Sequence, residues 1–248
     1  MALCEVRLSA QNALQRMTSF MAILPEHKPG PFPVLYLLHG LSDDHTAWVR
    51  RTSIERYVSD IPLIVVMPDG QRSWYTDAVS IPTFAFETFI VRDLISFVDT
   101  TFPTKASREG RAIAGLSMGG YGAFKLALKH PDMFCAAASL SGALYVGNRF
   151  DVNDVRDREM RLIFGDSVPQ DEDISHLVRN LEPDKQPALW FDCGTEDFLI
   201  EDNRAFHKLL QDLGVPHCYS ERPGTHSWSH WDAVIQEALD FIRSKLGI

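Results

Sequence analysis

Residues 115–119 read Gly-Leu-Ser-Met-Gly, and no other stretch constrains the fold so tightly. An apolar run, Arg111 to Leu116, precedes them, and a helix-like segment, Gly120 to His130, follows. Five residues with three fixed letters recur by chance, so the context carries the meaning. A strand that passes at once into a helix must turn sharply, and two glycines let it do so without side-chain clash. Ser117 then sits at the tip of the turn, its hydroxyl held above the sheet. The competing view is a glycine-rich turn with an incidental serine. The rest of the chain weighs against it by supplying the partners such a serine needs.

A serine hydroxyl is a poor nucleophile at neutral pH and needs a base, which in turn needs a third group to fix its tautomer. In α/β-hydrolases the chain order is serine, acid, histidine. Here Leu189-Trp190-Phe191-Asp192-Cys193 reads as a buried strand that breaks into Gly194-Thr195-Glu196-Asp197. A second strand, His217 to Arg222, breaks into Pro223-Gly224-Thr225-His226. Each loop lies just past a strand's carboxyl end, where open α/β sheets place their chemistry. Asp197 is the preferred acid and His226 the preferred base. Among the rivals, Asp192 lies within its strand and is expected to point into or under the sheet. Glu196 adjoins Asp197 and can face the same site, and Asp202 falls inside the next helix. His230 is expected in the final helix, exposed or at its N-terminus.

The remaining chain alternates strands and helices. Cys4 to Leu8 and Thr18 to Leu24 read as antiparallel edge strands joined by a polar turn. Val34 to Leu38 and Leu63 to Met67 are continuous apolar runs, as expected of strands buried on both faces. Glu87 to Phe102 has apolar residues at helical spacing and stops before Pro103. Phe134 to Leu140 is a further strand, and a last helix spans about His230 to Lys245. This alternation argues for one α/β domain over residues 1–248, a mostly parallel central sheet flanked by helices. Ser141 to Pro187, between the sixth and seventh strands, is polar, charge-rich and too long for an ordinary connection. Residues 143–186 read as a helical, cap-like insertion over part of the active-site mouth, with a solvated decoration as the competing reading.

Apolar residues make up 45% of the chain, ample for the core of such a domain. A formal net charge of −9 argues against a nucleic-acid partner, because phosphate binding needs a basic patch. Met1 to Arg7 hold an early acid and no apolar leader, and no run approaches a membrane span, so a cytoplasmic protein without membrane association is expected. Cys4, Cys135, Cys193 and Cys218 are widely spaced, mostly in apolar runs, and read as reduced, buried thiols. No metal-binding spacing occurs, so neither metal nor cofactor is expected.

Acyl transfer also needs donors aimed at the developing oxyanion. One is the amide after the nucleophile, here Met118. The other comes from the loop after the third strand, His39-Gly40-Leu41-Ser42-Asp43, where the Leu41 amide is the candidate. His39 precedes the acid in the chain and is expected to brace this loop by hydrogen bonding. Trp48, Tyr75, Phe86, Tyr145 and Trp228 fall near the expected mouth. Of these, Trp48, Trp228 and Tyr145 are taken as candidate substrate contacts, against ordinary packing as the alternative.

Several stretches together carry a resemblance. They are Val34-Leu35-Tyr36-Leu37-Leu38-His39-Gly40-Leu41, Trp48 to Arg56, Ile64-Val65-Val66-Met67-Pro68, and Trp74-Tyr75-Thr76-Asp77. Ala114 to Gly122 and Gly224-Thr225-His226-Ser227-Trp228 complete them. The chain resembles the esterase D-like α/β-hydrolases over nearly its whole length, most closely the bacterial tributyrin esterases. That family also includes S-formylglutathione hydrolases and feruloyl and acetyl-xylan esterases. The resemblance implies a Ser117, Asp197, His226 triad, the Leu41 and Met118 amides as oxyanion hole, and hydrolysis of small ester substrates. Self-association into homo-oligomers is common among the proteins it resembles. Leu116 stands where the S-formylglutathione hydrolases usually carry histidine, and Ser227-Trp228 where they tend to carry Ser-Tyr. Thioester hydrolysis is therefore the second expectation, after a serine carboxylesterase for short acyl esters. An acyltransferase or a non-catalytic binding protein on the same fold is the reading of a different class.

Overall fold

The computed structural model describes residues 1–26, 28–145 and 154–248. Eight strands form one sheet: β1 (Ala2–Ala10), β2 (Arg16–Leu24), β3 (Val34–Leu38), β4 (Ile64–Pro68), β5 (Arg111–Leu116), β6 (Ala136–Leu140), β7 (Ala188–Gly194) and β8 (His217–Arg222). Their order is β1-β2-β4-β3-β5-β6-β7-β8. The β1/β2 and β2/β4 pairs are antiparallel, and every other pair is parallel. β1 is an edge, as the sequence suggested, but β2 is not. Phe20, Ala22 and Ile23 need cover on both faces, and β2 takes β4 as a second neighbour.

Helices cover both faces. They are α1 (Ala47–Arg51), α2 (Ile54–Tyr57), α3 (Phe86–Thr88), which runs through a π-helical stretch, Phe89–Leu94, into α4 (Ile95–Thr101), α5 (Met118–Lys129), α6 (Val155–Phe164), α7 (Ile174–Asn180), α8 (Ile200–Asp212) and α9 (Trp228–Leu246). The period-two geometry of a strand divides the apolar runs between two cores. In β3, Val34, Tyr36 and Leu38 pack with Phe89, Tyr121, Phe124 and Phe206 from α4's approach, α5 and α8. Leu35 and Leu37 pack with Trp48, Ile54, Val234 and Ile235 from α1, α2 and α9. Two-sided burial is why these strands carry no polar alternation.

α6 and α7 lie between β6 and β7. Each begins at an aspartate whose carboxylate takes up free helix amides: Asp154 accepts from Arg156 N at 2.7 Å, and Asp173 from Ser175 N at 2.8 Å. Residues 146–153 of the expected insertion lie outside the described residues. No helix among the described residues is long and apolar enough to cross a membrane.

The register sets the position of the site. Leu38 pairs with Gly115, Leu116 with Leu140, and Gly194 with Arg222. The carboxyl ends of β3, β5, β6, β7 and β8 thus align, and the loops that follow them emerge along one rim.

Candidate active site

The turn between β5 and α5 is a single residue, Ser117, at φ 53° and ψ −117°. A non-glycine residue at positive φ is strained and persists only where its surroundings hold it. Here Ser117 N donates to Leu140 O at 2.9 Å, and Ser117 O accepts from Tyr121 N and Ala143 N, each at 3.1 Å. Gly119 permits the close approach behind the turn: a Cβ there would lie 2.6 Å from the carbonyl oxygens of both Leu38 and His39. The turn is thereby seated directly on the end of β3. Met118, the first residue of α5, has an amide with no acceptor one turn back in the helix.

His226 reaches Ser117 from the loop after β8. Its Nε2 lies 2.9 Å from Ser117 Oγ, and its Nδ1 lies 2.8 Å from Asp197 Oδ2 and 3.1 Å from Oδ1. Asp197 follows β7 and also accepts from Leu199 N at 2.9 Å. Burial pushes the Asp197 carboxyl up, but the His226 hydrogen bond, the Leu199 amide and the imidazole's charge outweigh it and hold the carboxyl below its usual range. The ionised carboxylate accepts a hydrogen bond from Nδ1–H, which leaves Nε2 as acceptor for the serine hydroxyl.

The rival groups have separate work. Asp192 is fully buried within β7, where it accepts from Ser220 Oγ and Arg222 Nε at 2.9 Å each and meets His230 Nε2 at 2.8 Å. His230 lies in the first turn of α9, but it is buried rather than exposed, because Asp192 holds its ring inside. Gly224 keeps that space open, since a Cβ there would collide with the His230 ring. Glu196 turns to the loop backbone and accepts from Gly224 N at 2.6 Å. Asp202 sits within α8, where burial pushes its carboxyl up. Cys193 is also buried, which pushes its thiol up to about 12, so it does not compete as a nucleophile near neutral pH. Not every cysteine is buried as expected: Cys218 is exposed because β8 is the second edge of the sheet.

The loop after β3 is braced by His39. Its Nδ1–H donates to Gly40 O at 2.7 Å, and its Nε2 accepts from Gly70 N at 2.8 Å. Tyr75 hydroxyl donates to His39 O at 3.0 Å. Leu41 and Met118 both border the cavity that contains Ser117 and His226, a space of about 570 Å³.

The aromatic expectations divide. Tyr145 and Trp228 line this cavity, but Trp48 does not. Trp48 is fully buried with its indole N–H donating to Leu38 O at 3.0 Å, and it supports Trp228 from behind, ring centroids 5.2 Å apart. Tyr75 and Phe86 are likewise wholly buried. The wall instead includes Trp74, Met160 and Phe198, which the sequence reading missed. Phe198 had a legible signal, a large apolar side chain directly after the acid in a polar loop. Met160 had none, since its face on α6 depends on how that helix docks. Arg72 bridges the mouth, giving Glu159 of α6 two bonds of 2.5 and 2.6 Å.

A buried ionic cluster lies behind the wall. Lys125 of α5 has no solvent exposure, and its Nζ donates to Tyr75 O (2.6 Å), Thr76 Oγ1 (3.1 Å), Glu87 Oε2 (2.7 Å) and Glu172 Oε2 (2.8 Å). Lys129 and His130 complete it at 2.6 Å from Glu172 and 2.9 Å from Glu87. The cluster ties the helix after Ser117 to the loop bearing Trp74 and to the segment before α7.

A family profile described as putative esterase matches residues 11–242. An acetyl esterase of Caldicellulosiruptor saccharolyticus is 31% identical over 92% of this chain and 94% of its own length. The fluorophosphonate-binding serine hydrolase F of Staphylococcus aureus superposes with a TM-score of 0.88 at 30% identity, covering 97% of this chain and 98% of that one. An S-formylglutathione hydrolase from Staphylococcus aureus does so with a TM-score of 0.86 at 31% identity, with the same coverage. With a nucleophile-type turn, an aligned rim of loops and these relatives, the chain belongs to the esterase family of α/β-hydrolases and is a serine carboxylic-ester hydrolase.

Proposed function

We propose that Ser117, His226 and Asp197 form the catalytic triad and that the enzyme cleaves short-chain acyl esters. The observation that carries this is the unbroken hydrogen-bond chain from Asp197 through His226 to Ser117 Oγ inside a cavity large enough for a small ester. Ser117 Oγ attacks the carbonyl carbon while His226 Nε2 takes its proton. The Leu41 and Met118 amides receive the oxyanion, a role supported by their place on the cavity beside Ser117. Collapse of the tetrahedral intermediate breaks the bond to the alcohol oxygen, which leaves with the proton from His226. Water then enters, gives a proton to His226 and attacks the acyl carbon; as the bond to Ser117 Oγ breaks, His226 returns that proton to Oγ and the acid leaves.

The short-chain preference draws on the cavity's mixed lining, in which Arg72, Arg156 and Asp157 stand with Trp74 and Met160. A long acyl chain would need a continuous apolar channel. The acetyl esterase relative supports the same reading. The described residues of the expected 143–186 insertion act in this reading as a partial cap, supported by Met160 and Arg156 on the cavity wall. A cytoplasmic location is supported by four unpaired cysteines. Thioester cleavage is the second reading. It is favoured by the S-formylglutathione hydrolase neighbour and by the Arg156 cation on the cavity lining, which suits a carboxylate-bearing substrate.

A fluorophosphonate should label Ser117 in the wild type, and Ser117→Ala should lose both label and activity while keeping its circular dichroism spectrum. Labelling that persists in the alanine variant overturns the nucleophile. Nitrophenyl esters from acetyl to palmitoyl, compared by kcat/KM, should peak at short chains. A maximum at decanoyl or beyond refutes the short pocket, and a large preference for S-formylglutathione promotes the thioester reading.

A further inference from the structure

We propose that Phe198 is the platform for the alcohol portion of the substrate, and that it selects esters whose alcohol carries a flat apolar group on a short linker. The inference rests on the triad reading above. Phe198 follows Asp197 directly, lines the same cavity as Ser117, and lies over the His226 ring with centroids 4.5 Å apart and planes at 48°. At 72% exposure it is the most exposed of the large apolar side chains among the described residues. An apolar ring left in water next to the reacting atoms is covered favourably by an apolar ligand group.

Chemistry identifies which part of the substrate that is. As the carbon–oxygen bond breaks, His226 Nε2 must deliver its proton to the departing alcohol oxygen, so the alcohol leaves on the imidazole side of Ser117. Two rings flank that imidazole. Trp231 meets it edge-on at 4.9 Å and also borders the cavity, but it is 5% exposed and packs against Trp228 at 5.4 Å, so little of its face is free. Phe198 is the one of the two with a broadly open face. In this reading the acyl portion, with its oxyanion toward Leu41 and Met118, takes the remainder of the cavity, whose lining includes Trp74 and Met160.

Phenethyl acetate and ethyl acetate test this. Both leave as primary alkanols and both form the same acetyl-enzyme, so the ratio of their kcat/KM values reports the alcohol portion alone. Phe198→Ala should lower the phenethyl-to-ethyl ratio by about tenfold, the loss of one aromatic pair with its buried area, and Phe198→Leu should fall between. The ratio of ethyl butyrate to ethyl acetate should stay within about twofold of the wild type, since that contrast lies on the acyl side. An unmoved phenethyl ratio overturns the proposal. So does an equal loss on both acetates, which would make Phe198 a positioning residue for His226, or a change that follows acyl length. Fluorophosphonate labelling is run on every variant. If Ser117 labels normally and the ratio does not move, the platform fails and the triad stands; if wild-type Ser117 does not label, the triad reading itself fails.

Discussion

Replacing Lys125 by methionine removes the ammonium at the centre of the buried cluster while nearly keeping its length. The ammonium is wholly out of water, with two carboxylates, a carbonyl and a hydroxyl within 2.6 to 3.1 Å. Removing one partner from a buried ion pair costs about 3–5 kcal/mol, because the charge left behind is uncompensated. Here the carboxylates are not abandoned: Lys129 remains 2.6 Å from Glu172 and 3.2 Å from Glu87, and His130 remains 2.9 Å from Glu87. The lower end applies, about 3 kcal/mol, which for a chain of this size lowers Tm by roughly 6–12 °C. The sign of the pH dependence follows from Glu87. Burial pushes its carboxyl up, but the charge of Lys125 and the hydrogen bonds from His130 and Lys125, with Lys129 adding to them, outweigh this and hold it well below its usual range. Its contribution is therefore fully present above the unfolded carboxyl pKa of about 4.3 and is lost as pH falls through the lower folded value. Without Lys125 that depression weakens, so the Glu87 carboxyl takes up its proton at a higher pH than in the wild type. Urea denaturation of wild type and Lys125→Met should show a gap that is level between about pH 7.5 and about pH 5 and narrows below about pH 4.3, where the unfolded carboxyl protonates. A gap below about 1 kcal/mol at neutral pH, or one that does not narrow below about pH 4.3, refutes the reasoning.

Two further outcomes follow from the site. Asp197→Asn should leave the fold intact and slow turnover by about 10⁴-fold through the wrong His226 tautomer. Asp192→Asn should reduce kcat far less but lower Tm, since Asp192 serves His230, Arg222 and Ser220; steady-state kinetics and thermal melts on both variants decide, and the reverse ranking shows that the wrong carboxylate was chosen. Gly119→Ala should push α5 away from the end of β3, costing about 1–3 kcal/mol of stability and, through the displaced Met118 amide, roughly 10²-fold in kcat; a variant with wild-type kcat would separate the tight seating of the turn from catalysis.

The amino-acid order alone made the framework legible. Strands buried on both faces cannot alternate, so β3 to β7 announce themselves as apolar runs, and a parallel sheet must deliver the following loops to one rim. Hence the turn at Ser117 and the loops of Asp197 and His226 were found from local patterns, although 109 residues separate Ser117 from His226. What tertiary structure decided is which way side chains face once layers pack. Trp48 and Trp228 look alike in sequence, yet one carries the other from within the core. For His230 the sequence allows an exposed place or one at the start of the last helix, and the buried Asp192 that holds it inside lies 38 positions away. Lys125 falls in a helix that reads as an ordinary apolar segment. Its four acceptors come from three separate stretches of chain, and only folding brings them within reach of one ammonium. Local patterns record which residues leave water, whereas the partners that make burial of a charge tolerable are chosen by the fold.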